Sequence, residues 1–96
     1  MATYLLTGKA QQDLADIAEY TKEHWGRSQA RIYLNEIEVG CEKIAGKPGI
    51  GKSREDISKG LMSFPVESHV VYYQCQNQQV IVVRVLHRRM LPNNHI

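Results

Sequence analysis

The octet GKPGIGKS, from Gly46 to Ser53, fits the pattern G-x-x-x-x-G-K followed by Ser or Thr that marks phosphate-binding loops. In such a loop a strand comes before the octet and a helix after it, because the helix N-terminus and the loop amides hold the phosphates. The period of the flanking residues predicts the opposite order, with a helix before the octet and a strand after it. We therefore interpret the octet as a Gly/Pro connector whose cations Lys47, Lys52 and Arg54 lie at the surface.

A second group of candidate residues lies near the C-terminus, where residues 68–96 contain three arginines and neither Asp nor Glu. This basic end suggests an acidic partner, a nucleic acid or an acidic protein segment, although an ordinary solvated surface also accounts for the charge. Arg84 stands in an apolar run, in phase with Val80, Val82 and Leu86, where an unpaired charge is costly. We expect it to reach solvent or an anionic partner from a sheet face that the helices do not cover, with a structural salt bridge, for example to Glu67, as the alternative.

Length and composition limit the kind of protein. The chain has 96 residues, 43% hydrophobic and 23% charged, which predicts one globular domain over residues 1–96. No signal peptide is recognised, and no apolar run approaches the roughly 20 residues of a membrane-spanning helix, so we expect a cytoplasmic protein. Cys41 and Cys75 are then expected to stay reduced. The spacing of Cys and His is not that of a zinc site, and we expect neither a metal nor another cofactor.

Two amphipathic helices are predicted in the N-terminal half. In the first, over residues 10–25, apolar side chains keep to one face and acidic ones, including Asp13, stay off it. Thr7 is placed to cap this helix and Gly26 to end it. Ser28 is expected to cap the second helix, which runs to the connector. The short turn between them predicts an antiparallel helical hairpin.

Four segments have the composition of strands: residues 4–6, 57–66, 70–75 and 80–86. The second is irregular because it contains Gly60 and Pro65, and the last two are joined by a polar turn as in a β-hairpin. We therefore predict an α+β fold of two layers. An N-terminal strand and an antiparallel two-helix hairpin pack on a twisted, mainly antiparallel sheet, in the order β-α-α-β-β-β.

Several phrases of the sequence together resemble the ParE branch of the ParE/RelE superfamily of bacterial toxin-antitoxin modules. They extend from Leu6 to Met90 and comprise DLADIAEYTKEHWG, QARIYLNEI, PGIGKSREDI, GLMSFPVESHVVYY and VVRVLHRRM. The most specific parts are Tyr20-Thr21 with Trp25-Gly26, the stretch from Gly49 to Arg54, Gly60-Leu61, and Arg84-Val85-Leu86-His87 followed by Met90. The chain departs from the pattern at Leu91, where ParE sequences often have an acid.

The resemblance implies a toxin that blocks or traps DNA gyrase so that replication stalls, and not an enzyme. It also implies a ParD-like antitoxin whose C-terminal segment folds over the toxin in a hetero-oligomer, and no sequence-specific binding of nucleic acid. The residues expected to contact the target lie at the end of the last strand and in the tail, namely Arg84, His87, Arg88, Arg89 and Met90. Those expected to contact the antitoxin are Trp25, Tyr33 and Arg84, although the apolar stripes that carry Trp25 and Tyr33 favour packing inside the protein.

RelE-type relatives of the same fold cleave messenger RNA on the ribosome, and this activity is the main alternative. It needs a general acid or base and several cations around the phosphate. Ser68-His69 stands where RelE-type sequences commonly have an Arg, and no tyrosine follows Tyr73. Arg84 and His87 remain as a reduced acid/base pair. A ribosome-dependent endoribonuclease therefore stays open, as does an inactive homologue that only binds its antitoxin.

Overall fold

The structure is a computed structural model that describes residues 3–96. The strands are β1 (Tyr4–Leu6), β2 (Lys52–Ser53), β3 (Met62–Val66), β4 (His69–Gln76) and β5 (Gln79–His87). The helices are α1 (Gly8–Trp25) and α2 (Arg27–Gly46), and short 3-10 turns occupy Pro48–Ile50 and Pro92–Asn94. The predicted two-layer α+β fold is confirmed, with β2 as an additional short strand. Within the described residues, no helix combines the length and the apolar character needed to cross a membrane.

The helical hairpin is tighter than the sequence predicts. Thr7 caps α1 as expected, since its hydroxyl accepts a hydrogen bond from the backbone N of Ala10 at 3.1 Å. A single residue, Gly26, then separates the two helices with φ 92° and ψ 165°, a conformation that residues with a Cβ avoid. The predicted Ser28 cap is wrong, because α2 already begins at Arg27 and no side chain caps it.

The strands form one sheet in the order β1-β5-β4-β3-β2. β1 pairs in parallel with β5, and the other neighbours are antiparallel. Asn77 and Gln78 form the turn between β4 and β5, and both have positive φ, as in a type I′ hairpin turn. Pro65 is tolerated in β3 because β2 pairs only with Met62 and Ser63, which leaves the outer side of β3 free at Pro65.

A β-bulge in β5 changes the direction in which its side chains point. Tyr72 pairs with Arg84 and the next residue, Tyr73, pairs with Val82, so Val83 is an extra residue in β5. The prediction that Arg84 is in phase with the apolar residues before it is therefore wrong, since the alternation breaks between Val82 and Arg84. At this level β1 has already ended, and the outer edge of β5 is not paired with another strand.

The two faces of the sheet bury separate apolar clusters. The larger one lies under the helices and includes Ile37, Cys41, Ile44, Val71, Tyr73, Val82 and Val85. The smaller one, on the opposite face, contains Leu61, Tyr72 and Leu86, with Ile57, Val70 and Val83 packed against it. Tyr72 and Tyr73 thus face opposite sides, as predicted. The thiol of Cys41 is buried and that of Cys75 exposed, and both are free.

Candidate functional site

Asp13 and Arg84 form a bidentate ion pair at the free edge of β5. The Nε and Nη2 atoms of Arg84 donate to the two carboxylate oxygens of Asp13, each at 2.8 Å. The backbone N of Val85 donates to the same carboxylate at 2.9 Å. The two side chains are 15% and 11% exposed, so the pair is largely removed from water. These hydrogen bonds raise the pKa of Arg84 and close the edge of β5 that β1 leaves open.

This ion pair corrects two sequence-based expectations. The charge of Arg84 is met inside the molecule and does not reach out from an uncovered sheet face. The alternative of a structural salt bridge is right in kind, but the partner is Asp13 and not Glu67. The pattern puts Asp13 on the exposed side of α1, yet its side chain lies at the boundary of that face, where α1 passes the edge of β5.

Arg84 also holds the C-terminal tail (residues 88–96) against the end of β5, because its Nη1 donates a hydrogen bond to the carbonyl oxygen of His95 at 2.7 Å. The tail leaves β5 through a turn in which the backbone N of Met90 donates to the carbonyl of His87 at 2.9 Å. The side chains presented at this turn are the half-buried His87 and the exposed Arg88, Arg89 and Met90. Three of the five residues predicted to contact the target, Arg88, Arg89 and Met90, are therefore exposed together, and Arg84 holds the segment that carries them.

A groove of about 590 Å³ lies on the sheet face opposite the helices. Val70 and Tyr72 contribute to its floor, and it lies between the connector (residues 47–54) and the tail. Among the residues that line it, the charged ones are all basic: Lys52 and Arg54 from the connector, and Arg88 and Arg89 from the tail. We call it the cationic groove.

The connector is tied to the sheet by a buried tyrosine. The hydroxyl of Tyr73 donates to the carbonyl of Pro48 at 2.6 Å and accepts from the backbone N of Gly51 at 3.0 Å. A Cβ on Gly51 would lie 2.7 Å from the carbonyl oxygen of Ser63, so only glycine fits this approach. The octet starts at the last residue of α2, as predicted, and its last two residues form β2. No α-helix begins after it within the described residues, so it lacks the helix N-terminus that would hold a phosphate.

A second cavity, of about 530 Å³, lies on the helix side of the same end of the sheet. It is lined by uncharged and histidine side chains from α1, α2, β4, β5 and the turn between β3 and β4, namely Tyr20, Thr21, Trp25, Gln29, Tyr33, Ser68, His69 and His87. We call it the aromatic cleft. Trp25 is 72% and Tyr20 60% exposed at its rim, so the expectation that Trp25 packs inside the protein is wrong. Tyr33, in contrast, packs against the core as the pattern favours.

At the inner end of the aromatic cleft, Tyr33, Ser68 and His69 are connected by hydrogen bonds. The hydroxyl of Tyr33 accepts from the backbone N of Ser68 at 3.1 Å and lies 2.6 Å from Nδ1 of His69. Because this hydroxyl already accepts one hydrogen bond, we assign its proton to the bond with Nδ1, which places the proton of neutral His69 on Nε2. His69 pairs across the strands with His87, and their rings meet edge to face with centroids 5.3 Å apart.

The environment of this cleft keeps Tyr33 and His69 uncharged. Burial lowers the pKa of His69 to about 4, with a contribution from His87 in the same direction and an opposing one from Asp13. Burial also raises the pKa of Tyr33, so the phenol stays protonated at neutral pH. A neutral imidazole and a phenol can hydrogen-bond to a peptide, whereas cleavage of a phosphodiester needs cations at the reacting group. No cluster of three or more metal-binding side chains occurs in residues 3–96.

Comparison with known proteins identifies close counterparts of nearly the whole chain. The profile of the family described as "ParE toxin of type II toxin-antitoxin system, parDE" matches residues 4–92. Toxin ParE1 of Caulobacter vibrioides is 36% identical over 96 residues, which cover 100% of this chain and 99% of the relative. Toxin ParE1 of Mycobacterium tuberculosis is 38% identical over 88 residues, which cover 91% of this chain and 90% of the relative.

Solved structures share the fold. One described as the chromosomal ParDE system from P. aeruginosa matches with a TM-score of 0.78 at 17% identity, over 91% of this chain and 96% of that one. The toxin-antitoxin complex RelBE2 from Mycobacterium tuberculosis matches with a TM-score of 0.59 at 23% identity, over 91% and 98%. These structures establish the fold, and the family profile together with the two ParE1 relatives establishes the family. The chain belongs to the ParE toxin family of type II toxin-antitoxin systems.

Proposed function

We propose that this toxin inhibits DNA gyrase in the cytoplasm, so that replication stalls, and that a ParD-like antitoxin neutralises it. The observation that carries the proposal is the match of the ParE toxin profile to residues 4–92, supported by ParE1 relatives that align over nine-tenths or more of the chain. The toxin acts by binding and not by catalysis. In support of this, the cations of the groove and the two histidines of the cleft lie on opposite faces of the sheet, so they do not form one acid/base site around a phosphate.

The surface that we assign to the target is the turn after β5. Arg88, Arg89 and Met90 are exposed there and line the cationic groove beside the connector cations. His87, the last residue of β5, is half-buried and lines the aromatic cleft, so it adjoins this surface without facing the groove. Arg84 takes part indirectly, because its guanidinium is occupied by Asp13 and by the carbonyl of His95. It positions the turn and does not itself contact the target.

The surface that we assign to the antitoxin is the aromatic cleft. Two exposed aromatic rings and a hydrogen-bonded inner end suit a peptide segment that inserts an apolar side chain and satisfies polar groups beside it. Trp25 and Tyr20 supply the apolar contact, and Tyr33 with His69 supplies the polar one. Arg84 does not line this cleft, so we assign the antitoxin contact to the cleft residues without Arg84.

The test is a supercoiling and cleavage assay with purified toxin and purified gyrase on relaxed plasmid, with and without ATP. We expect either inhibited supercoiling or accumulated cleaved DNA. Either effect should disappear when purified antitoxin is mixed with the toxin before gyrase is added. A folded toxin that leaves gyrase unaffected would contradict the proposal. Primer extension on translated messenger RNA would then separate the two remaining classes, since cuts indicate a ribosome-dependent nuclease and their absence an inactive homologue.

A further inference from the structure

We propose that the cationic groove binds the phosphate backbone of double-stranded DNA without reading its sequence, so that the toxin contacts the DNA segment held by gyrase as well as the enzyme. The inference rests on the proposed function for its biological setting, while the contact with DNA itself can be measured without gyrase. It concerns Lys52, Arg54, Arg88 and Arg89, which two separate segments bring to one groove on the sheet face that the helices leave uncovered.

The charges of the molecule are divided between its two layers. Residues 1–46, which contain both helices, carry five basic and seven acidic side chains, a net charge of −2. Residues 47–96, which contain the connector, the hairpin strands and the tail, carry seven basic and three acidic side chains, a net charge of +4. An approaching polyanion is therefore attracted to the sheet side of the protein and repelled from the helix side.

Most of the cations in the groove are available to an external anion. Arg54, which is half-buried, is paired with Asp56 at 3.2 Å, but Asp56 is 64% exposed, so the pair is open to solvent and weak. Lys52, Arg88 and Arg89 are exposed, and among residues 3–96 none of them takes part in a salt bridge. Arginine and lysine side chains of this kind neutralise backbone phosphates and release counterions, which is the main source of sequence-independent affinity for DNA.

The groove fits a duplex better than an unpaired strand. Single-stranded nucleic acid is held by exposed aromatic rings on which bases stack. Two aromatic residues line the groove: Tyr72 is only 4% exposed, and Phe64 is half-buried and packs against the apolar cluster under the helices. The exposed rings of Tyr20 and Trp25 lie in the aromatic cleft on the other face. A duplex needs only its backbone to be contacted. The exposed apolar side chains at the rim, Met90 and Leu91, are then free to meet the protein that holds the DNA.

Fluorescence anisotropy of a short labelled duplex, titrated with toxin between about 50 and about 200 mM salt, tests the inference. With three to four contacted phosphates, the slope of log K against log salt should be about −3.

Arg88→Ala/Arg89→Ala should weaken binding about tenfold or more and reduce the slope by about 2. The matched control Arg27→Ala/Arg31→Ala removes the same charge from the exposed surface of α2, and we expect it to change the affinity less than about threefold. Thermal unfolding of each variant establishes that it is folded.

Three outcomes would overturn the inference. The first is no binding by folded toxin at low salt, and the second is an equal loss in the two double variants, which would reflect net charge alone. In the third, polyglutamate of matched charge binds more tightly than the duplex, which would assign the groove to an acidic protein segment. Failure of the proposed function is a separate result: gyrase would be unaffected while the duplex is still bound. Gyrase inhibition without any binding of the duplex would overturn the inference and leave the proposed function standing.

Discussion

The aromatic cleft and the cationic groove flank the same end of the sheet and differ in nearly every physical respect. The cleft has exposed rings, a histidine with a pKa of about 4 and no Lys or Arg in its lining. The groove is lined by four cations, and its aromatic residues are buried (Tyr72) or half-buried (Phe64). One turn serves both, since His87 lines the cleft while Arg88 and Arg89 line the groove. A small toxin can thus present two separate surfaces, one suited to an inhibitory peptide and one suited to an anionic target.

The largest effect is expected at the ion pair that holds this turn in place. Asp13→Ala leaves the partly buried guanidinium of Arg84 and the N–H of Val85 without their acceptor, and we expect a loss of about 3 kcal/mol in the free energy of unfolding. Urea unfolding measures the loss. The control Asp16→Ala removes an exposed acid one turn further along α1 and should change the stability by less than about 0.5 kcal/mol. A similar small change in both variants would show that the pair does not secure the tail.

The next largest effect is expected on the affinity for the antitoxin, and it tests whether the antitoxin binds in the cleft. Trp25→Ala should weaken antitoxin binding by about 30-fold, because an exposed tryptophan at the rim of a cleft is a typical binding hot spot. Its effect on the free energy of unfolding should be below about 0.5 kcal/mol. Isothermal titration with the antitoxin measures the affinity. Ile32→Ala removes a side chain that is 52% exposed on α2 and does not line the cleft, so an equal loss there would place the antitoxin elsewhere.

A smaller effect is expected from the titration of His69 in the cleft. The pKa of His69 is lowered to about 4 in the folded protein, below the usual 6.5, so the unfolded chain binds a proton more readily between these values. Stability is therefore unaffected above pH 6.5 and falls as the pH drops from about 6.5 to about 4. Because His69 is partly accessible to solvent, we expect a loss of about 1 kcal/mol.

His69→Gln removes the titrating group and keeps an acceptor for the hydroxyl of Tyr33. Urea unfolding at several pH values should give a shallower decline for this variant than for the wild type. The stability of both proteins is compared with that of His24→Gln, a control that changes an exposed histidine on α1 outside the lining of the cleft. Parallel curves for wild type and His69→Gln would mean that the cleft does not depress the pKa of His69.

The smallest effect is expected on the free energy of unfolding, from a change in a turn far from both surfaces. It tests whether stability can change while binding does not. Gln78 has φ 64° in the turn between β4 and β5, where glycine is favoured. Gln78→Gly should stabilise the protein by about 0.5 kcal/mol while leaving the binding of antitoxin and of DNA unchanged. Urea unfolding measures the gain. A change in the affinity for the antitoxin or for DNA would indicate that the hairpin turn influences the conformation of the corresponding surface.

The helices and the number of long strands follow from the sequence because they depend on local patterns. Apolar stripes at helical spacing, the Thr7 cap and the Gly26 stop predict the helical hairpin, and the glycine-rich connector is recognised by its position between a helix and a strand. The basic composition of the tail predicts a cationic surface there. The other two cations of the groove, Lys52 and Arg54, are positioned by the connector, which is held by the hydrogen bond from Tyr73 to Pro48. These two residues are 25 positions apart, so no local sequence pattern predicts their contact.

The arrangement of the site itself could not be predicted, and the bulge in β5 explains why. Near the turn, Gln76 pairs with Gln79, and this register continued without interruption would place His69 opposite Leu86. The extra residue Val83 shifts the register by one and brings His87 opposite His69. The same shift breaks the phase of Arg84, whose partner Asp13 lies 71 residues earlier in the chain. Neither the bulge nor this distant pairing leaves a signal in the sequence alone.

The most direct test of the two-surface account is the toxin concentration that halves gyrase supercoiling, measured for wild type, Arg88→Ala/Arg89→Ala and Tyr20→Ala/Trp25→Ala. The account predicts an increase of about tenfold or more for the arginine variant and of less than about twofold for the aromatic variant. Loss of inhibition in the aromatic variant, with full inhibition by the arginine variant, would contradict the assignment of the target to the cationic side of the sheet.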